Sequence, residues 1–184
     1  MTRIHIIGSG GSGKTTLARQ PAATPNAPCY ELDHIGYHGH SKRSVEDRAA
    51  DIRRIAASPA WVSEGGFVWW VGGLLEAADT IVWLDLPWFL CWRRIVTRHI
   101  KADLARTNAY PGFRKMLRFA AGVRPYYLNP TPAVPSAPDD DAANNRAAIA
   151  QVLAAYPGKV VQCRSPKEVA AFLAQAKAAA LSSP

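Results

Sequence analysis

Gly8-Ser9-Gly10-Gly11-Ser12-Gly13-Lys14-Thr15 is the stretch on which the fold turns, and it fits the phosphate-binding pattern GxxxxGK followed by Ser or Thr in full. The glycines let the backbone curl until successive N–H groups converge on a phosphate, at a helix start that already favours anions. Lys14 is expected to reach the β- and γ-phosphates of a nucleotide, and the Thr15 hydroxyl to ligate Mg2+. Gly8, Gly10 and Gly13 also satisfy GxGxxG, with Asp33 about 20 residues further on, where a dinucleotide-binding fold places its ribose acid. Lys-Thr directly after the last glycine decides between the two, because a dinucleotide helix has no use for a lysine there. The expected nucleotide-binding set is Gly8, Gly10, Gly11, Ser12, Gly13, Lys14, Thr15 and Thr16, with ATP and Mg2+ as cofactors.

Strands and helices alternate on either side of this loop. Arg3–Ile7 is a short β-branched run that reads as a buried strand. Lys14 opens a short helix that Pro21 would cut or kink near Gln20, since its ring clashes with the carbonyl four residues back. Residues 21–28 read as a loop and Cys29–Leu32 as a second strand. Ser44–Ala57 carries Val45, Ala49, Ile52, Ile55 and Ala56 at helical spacing, Trp61–Ser63 is a short third strand, and Thr80–Leu86 is the clearest strand. Pro87 begins a helix running to about Ile100, with Trp88 and Trp92 on one face and Arg94 and Arg98 on another. Lys101–Gly112 is polar and reads as mobile, Phe113–Gly122 as helical, and Arg124–Asp141 as a proline-rich connection, irregular or disordered. Ala142–Ala155 reads as a helix, Lys159–Cys163 as the last strand, and Ser165–Ala180 as a last helix capped by Ser165 with Glu168 three on. This alternation predicts one α/β domain over residues 1–184, with a parallel sheet covered on both faces.

Carboxyl ends of parallel strands line the crevice where ligands sit. Asp33 ends the second strand, where it can orient an acceptor hydroxyl and take its proton; an acid there can also serve a cap or turn. Glu64, at the same end of the third strand and followed by Gly65-Gly66, can hold a Mg2+-bound water or be a solvated acid before a turn. Asp85 follows Ile81–Leu84 as a Walker-B metal acid does, and equally can cap the next helix. His34, His38 and His40 lie near Asp33, but Gly36 and Gly39 exclude a regular helical pair and no second cluster completes four ligands, so a polar substrate loop is expected. Trp69 and Trp70 fit either the core or a stacking plate for a flat acceptor.

The net charge is +8. Between Trp92 and Arg124 lie nine bases, Arg93, Arg94, Arg98, Lys101, Arg106, Arg114, Lys115, Arg118 and Arg124, against one acid, Asp103, so this stretch carries the whole excess. A phosphoryl transition state spreads charge over its equatorial oxygens, and arginines on a closing lid stabilise it. Arg94, Arg98 and Arg106 are therefore the catalytic candidates beside Lys14 and Asp33, in a lid region of about residues 98–124. Nine bases exceed the need of one triphosphate, which leaves a nucleotide-gated nucleic-acid-binding or regulatory protein as the alternative.

Other classes are excluded more simply. The longest apolar run, Gly65–Leu75, holds four glycines, stops at Glu76 and falls short of the ~18 residues of a membrane span. Cys29, Cys91 and Cys163 are odd in number and far apart, which is no disulfide framework and suits a reducing cytosol.

IHIIGSGGSGKTTLARQ, ELDHIGY, WVSEGGF, ADTIVWLDLPWFLCWRRIVTRHI and KVVQCRSPKEVAAFL, in order from Ile4 to Leu173, resemble the small P-loop kinases related to adenylate, shikimate and gluconate kinases. More closely they resemble the bacterial adenylate-kinase-like proteins called topology modulation proteins. The resemblance implies a five-stranded parallel sheet in the order 2-3-1-4-5, a lid after the fourth strand, and adenine held partly by the loop after the fifth, at Arg164-Ser165-Pro166. It implies that Asp33 contacts the acceptor, and that the activity is ATP-dependent phosphoryl transfer to a nucleotide or a hydroxylated metabolite. Departures from the family pattern are Glu64-Gly65-Gly66 in place of acid, glycine and asparagine, Pro21 in a helix that is usually continuous, and Tyr110-Pro111-Gly112 in place of a Gly-Cys pair.

Overall fold

A computed structural model describes residues 2–20, 27–39, 41–107, 112–137, 140–141 and 143–181. Pro21, His40, the Tyr110-Pro111 pair and Ala142 lie outside the described residues. Along the chain, β1 (Arg3–Gly8) leads to α1 (Lys14–Ala18), and β2 (Cys29–Glu31) to α2 (Leu32–Gly36). Then follow β3 (Tyr37–His38), β4 (Ser41–Lys42), α3 (Val45–Ala56), β5 (Trp61–Gly65), α4 (Gly72–Ala77) and β6 (Thr80–Leu84). The second half comprises α5 (Trp88–Leu104), α6 (Phe113–Leu128), α7 (Arg146–Leu153), β7 (Val160–Cys163) and α8 (Pro166–Leu181).

Five strands form one parallel sheet in the order β2-β5-β1-β6-β7, and β3 pairs with β4 in an antiparallel ribbon. Counting only the strands of the main sheet, that order is 2-3-1-4-5, as the family resemblance implies. The period of two along β1 and β6 loads both faces. Ile4, Ile6, Val82 and Leu84 pack with Leu17 of α1 and Phe172 and Ala176 of α8. Ile7, Ile81 and Trp83 pack on the other side with Ile52 and Ile55 of α3, Leu74 and Leu75 of α4, and Ile149 and Leu153 of α7. A third cluster, with Cys91 and Ile95 of α5 against Met116, Ala120 and Val123 of α6, joins the two long helices.

Several boundaries differ from the sequence reading. Leu32 and Asp33 begin α2 instead of ending β2, so Asp33 sits in a helical first turn just past the strand. The β6 strand stops at Leu84, two residues early, and β5 runs on to Gly65, which places Glu64 within it. The polar stretch expected to be mobile is helical as far as Leu104, since Lys101–Leu104 contains no breaker and His99 pairs with Asp103 one turn on, at 3.1 Å. Pro125 lies inside α6, which continues to Leu128, so the proline-rich connection begins only at Asn129. The alanine-rich helix starts late, at Arg146, because Asn145 caps it by accepting from the Ala148 N–H at 2.8 Å. Ser165 and Glu168 behave as expected at the start of α8, with Ser165 Oγ accepting from the Glu168 N–H at 3.3 Å. No helix among the described residues is long and apolar enough to cross a membrane.

Candidate active site

The glycine loop leaves β1, the central strand, between β5 and β6, at the edge where all the carboxyl ends lie. A cleft of about 810 Å3 opens over it. The loop can curl this tightly only because of what occupies its bends. Gly11 has φ 76° and a side chain there would meet the Cys91 carbonyl of α5 at 2.5 Å; Gly13, at φ 99°, caps α1 in the left-handed region.

Side chains then converge on the loop. Lys14 Nζ donates to the Ser9 carbonyl at 3.1 Å, and Arg94 Nη1 donates to the Ser12 carbonyl at 2.8 Å. Ser9 Oγ lies 2.8 Å from the Tyr127 hydroxyl of α6, and Cys91 Sγ lies 3.6 Å and 3.5 Å from those two oxygens. Thr15 Oγ1 donates to Glu64 Oε1 at 2.6 Å. Burial pushes the Lys14 pKa down while Glu64 and Asp33 pull it back up. Burial pushes the Glu64 carboxyl up, against the Thr15 hydrogen bond and the Lys14 charge. A hydroxyl and an under-compensated buried carboxylate side by side are hard oxygen donors of the kind Mg2+ takes, so the residues present fit that ion.

A glycine loop of this geometry after the central strand, on a 2-3-1-4-5 parallel sheet, decides the architecture. The fold is the three-layer P-loop NTPase fold. No protein-family model matches the chain, and no curated protein matches it by sequence. Solved structures similar to this fold include a gluconokinase from Sinorhizobium meliloti 1021, with TM-score 0.49 and 16% identity, covering 100% of this chain and 98% of that one. A shikimate kinase from Bacteroides thetaiotaomicron gives TM-score 0.46 and 16% identity, with 98% of each chain covered. An uncharacterized protein from Eubacterium ventriosum ATCC 27560 gives TM-score 0.48 and 14% identity, with 100% of each covered.

Within the cleft over the glycine loop stand Gly8, Gly10, Gly11, Ser12, Gly13, Lys14, Thr15, Thr16, Asp33, Glu64, Arg94 and Arg98. Three other candidates lie elsewhere. Arg106 is exposed beyond the end of α5, with φ 54°. Arg164 turns its guanidinium to Gln162 Oε1 at 3.0 Å, and it is Pro166 of the same loop that lines the cleft. Asp85 is buried in a two-pronged pair with Arg146, both contacts at 2.7 Å, and accepts from Gln162 Nε2 at 2.8 Å. Pro87 is the N-cap of α5 and no side chain caps that helix, so the reading of Asp85 as a helix cap does not hold; its carboxylate is turned to Arg146 and Gln162.

Trp69 and Trp70 both pack against the core: Trp69 Nε1 donates to the Ala143 carbonyl, and Trp70 lies 5.0 Å from the Phe67 ring with the Arg48 guanidinium 5.2 Å over it. His34 and His38 are exposed, and among the described residues no three His, Cys, Asp or Glu side chains gather as a metal site. Sequence reasoning missed Phe67, Tyr126 and Asn144, which line the cleft. Asn144 Nδ2 donates to the Gly66 carbonyl, a contact 78 residues apart that no local pattern signals.

Proposed function

We propose that the protein is an ATP- and Mg2+-dependent kinase that transfers the γ-phosphoryl group to a hydroxyl of a small acceptor. The observation that supports this most is the meeting of Lys14, Thr15 and Glu64 on one loop floor, with Asp33, Arg94 and Arg98 lining the same cleft. Thr15 and Glu64 would hold Mg2+, which neutralises phosphate charge when bound. Lys14 exchanges the Ser9 carbonyl for phosphate oxygens. Arg94, anchored on Ser12, braces the loop, and Arg98, one turn along α5, adds a second guanidinium over the transferring group. Asp33 orients the acceptor hydroxyl and accepts its proton as the acceptor oxygen bonds to the γ-phosphorus and the bond to the β,γ-bridging oxygen breaks, releasing ADP. Arg106, outside the open cleft, would act only after lid closure, and Arg164 would flank the adenine near Pro166.

Lys14→Ala is expected to lower acceptor-dependent ADP formation by about 10²-fold or more with the circular dichroism spectrum unchanged. Wild-type turnover in that variant contradicts the reading.

A further inference from the structure

The charge along the cleft is sorted. Glu31, Asp33 and Glu64 line one end, and Glu31 and Glu64 are register partners on β2 and β5. The bases that line the cleft among the described residues, Lys14, Arg94 and Arg98, stand on the loop and on α5, and two of them are already turned to the loop's own carbonyls. Of the three acids, Glu31 is paired with Arg19 at 2.5 Å; Arg43 and Arg48, outside the cleft lining, are paired with Asp51 at 2.7 Å and Asp141 at 3.2 Å. A cation held by Thr15 and Glu64 is matched by the triphosphate it binds.

We propose that the acceptor is a hydroxylated compound with no negative charge at the end that enters the cleft, a neutral or amine-bearing polyol and not a phosphate monoester or a carboxylate. The proposal rests on the kinase reading and narrows it. An anionic acceptor would face the Asp33 and Glu64 carboxylates in a partly desolvated cleft, where charges about 4 Å apart repel strongly. A second, independent feature points the same way. The Tyr126 hydroxyl and Asn144 Oδ1 are buried without a hydrogen-bond partner among the described residues, and both residues line the cleft. One can donate and the other can only accept, and a ligand hydroxyl does both. A ligand hydroxyl that reaches either atom recovers a bond that is costly to leave unmade. Phe67 offers the carbon skeleton an apolar wall.

The experiment uses the full chain with ATP and Mg2+ and matched acceptor pairs sharing one skeleton: an aldose with its aldonic acid, a nucleoside with its 5′-monophosphate, and an amino sugar with the corresponding sugar phosphate. ADP formation is followed for each. The uncharged or amine-bearing member is expected to exceed its anionic partner in kcat/KM by at least about tenfold, the rate equivalent of one modest charge repulsion. Preference for the anionic member of a pair overturns the acceptor proposal and leaves the kinase reading standing. Absence of stimulation by every compound, in protein that binds ATP through Lys14, overturns the kinase reading and this proposal together.

Discussion

His5 is wholly buried in the central strand, across from Ser63 of β5, with Nδ1 and Oγ 2.8 Å apart. Burial pulls its pKa down from 6.5 to about 4. The unfolded chain therefore takes up a proton below about pH 6.5 that the folded chain refuses until about pH 4, so stability is full above the first value and drains away between the two. The gap is worth about 3 kcal/mol. Urea unfolding is expected to show that loss between about pH 7 and pH 4, and His5→Gln to flatten most of it whatever its own stability; an unchanged slope in the variant contradicts the assignment. The loop residues are legible in the sequence because their spacing is local, from Gly8 to Thr15. Asp85 is not, because its meaning depends on Arg146, 61 residues away. His5 likewise reads only as one polar letter in an apolar run until β5 and β6 close over it.

Elements with a long period are visible in the sequence, and those without are not. The 12 residues of α3 carry their apolar stripe and a Ser44 cap accepting from the Asp47 N–H, both features of local spacing. The two-residue strands β3 and β4 are too short to show a period, and α4 begins on two glycines. Pro125 misleads for another reason: an interior proline costs about 3 kcal/mol in an isolated helix. In α6 the buried Val123 and the packing of Tyr126 and Tyr127 act against that cost. Tyr127 also ties this helix to the loop through Ser9, whose carbonyl receives Lys14. Tyr127→Phe removes that hydroxyl and is expected to cost about 1 kcal/mol, seen as a fall in Tm of about 2–4 °C. The same variant should raise the KM for ATP more than it lowers kcat, because Tyr127 holds the loop and lies outside the cleft lining. An unaltered KM with the expected loss of Tm would make Tyr127 a packing residue alone.

At the scale of the molecule, the alternation of strands and helices points to the parallel sheet and the family resemblance to its order, while the path between α6 and α7 has no such signal. That path is fixed by side chains distant in sequence. Asp141 accepts from Tyr37 at 2.8 Å and pairs with buried Arg48 at 3.2 Å and Lys42 at 3.5 Å. Asn145 Nδ2 donates to the Thr131 carbonyl at 2.7 Å, and Asn144 reaches Gly66. Through Asn144 the connection contributes to the cleft lining. The basic excess divides as well: Arg94 and the exposed Arg98 line the cleft, whereas Arg93, Lys101, Arg106, Arg114, Arg118 and Arg124 are exposed outside its lining. The central claim is that this cleft moves a phosphoryl group onto an acceptor and does not merely hydrolyse or bind ATP. Phosphorus NMR of ATP and Mg2+ with the full chain and a neutral polyol tests it most directly. A new phosphate-ester resonance growing in step with ADP, and lost in Lys14→Ala, is the predicted result; inorganic phosphate as the sole product, at a rate indifferent to the acceptor, would contradict it.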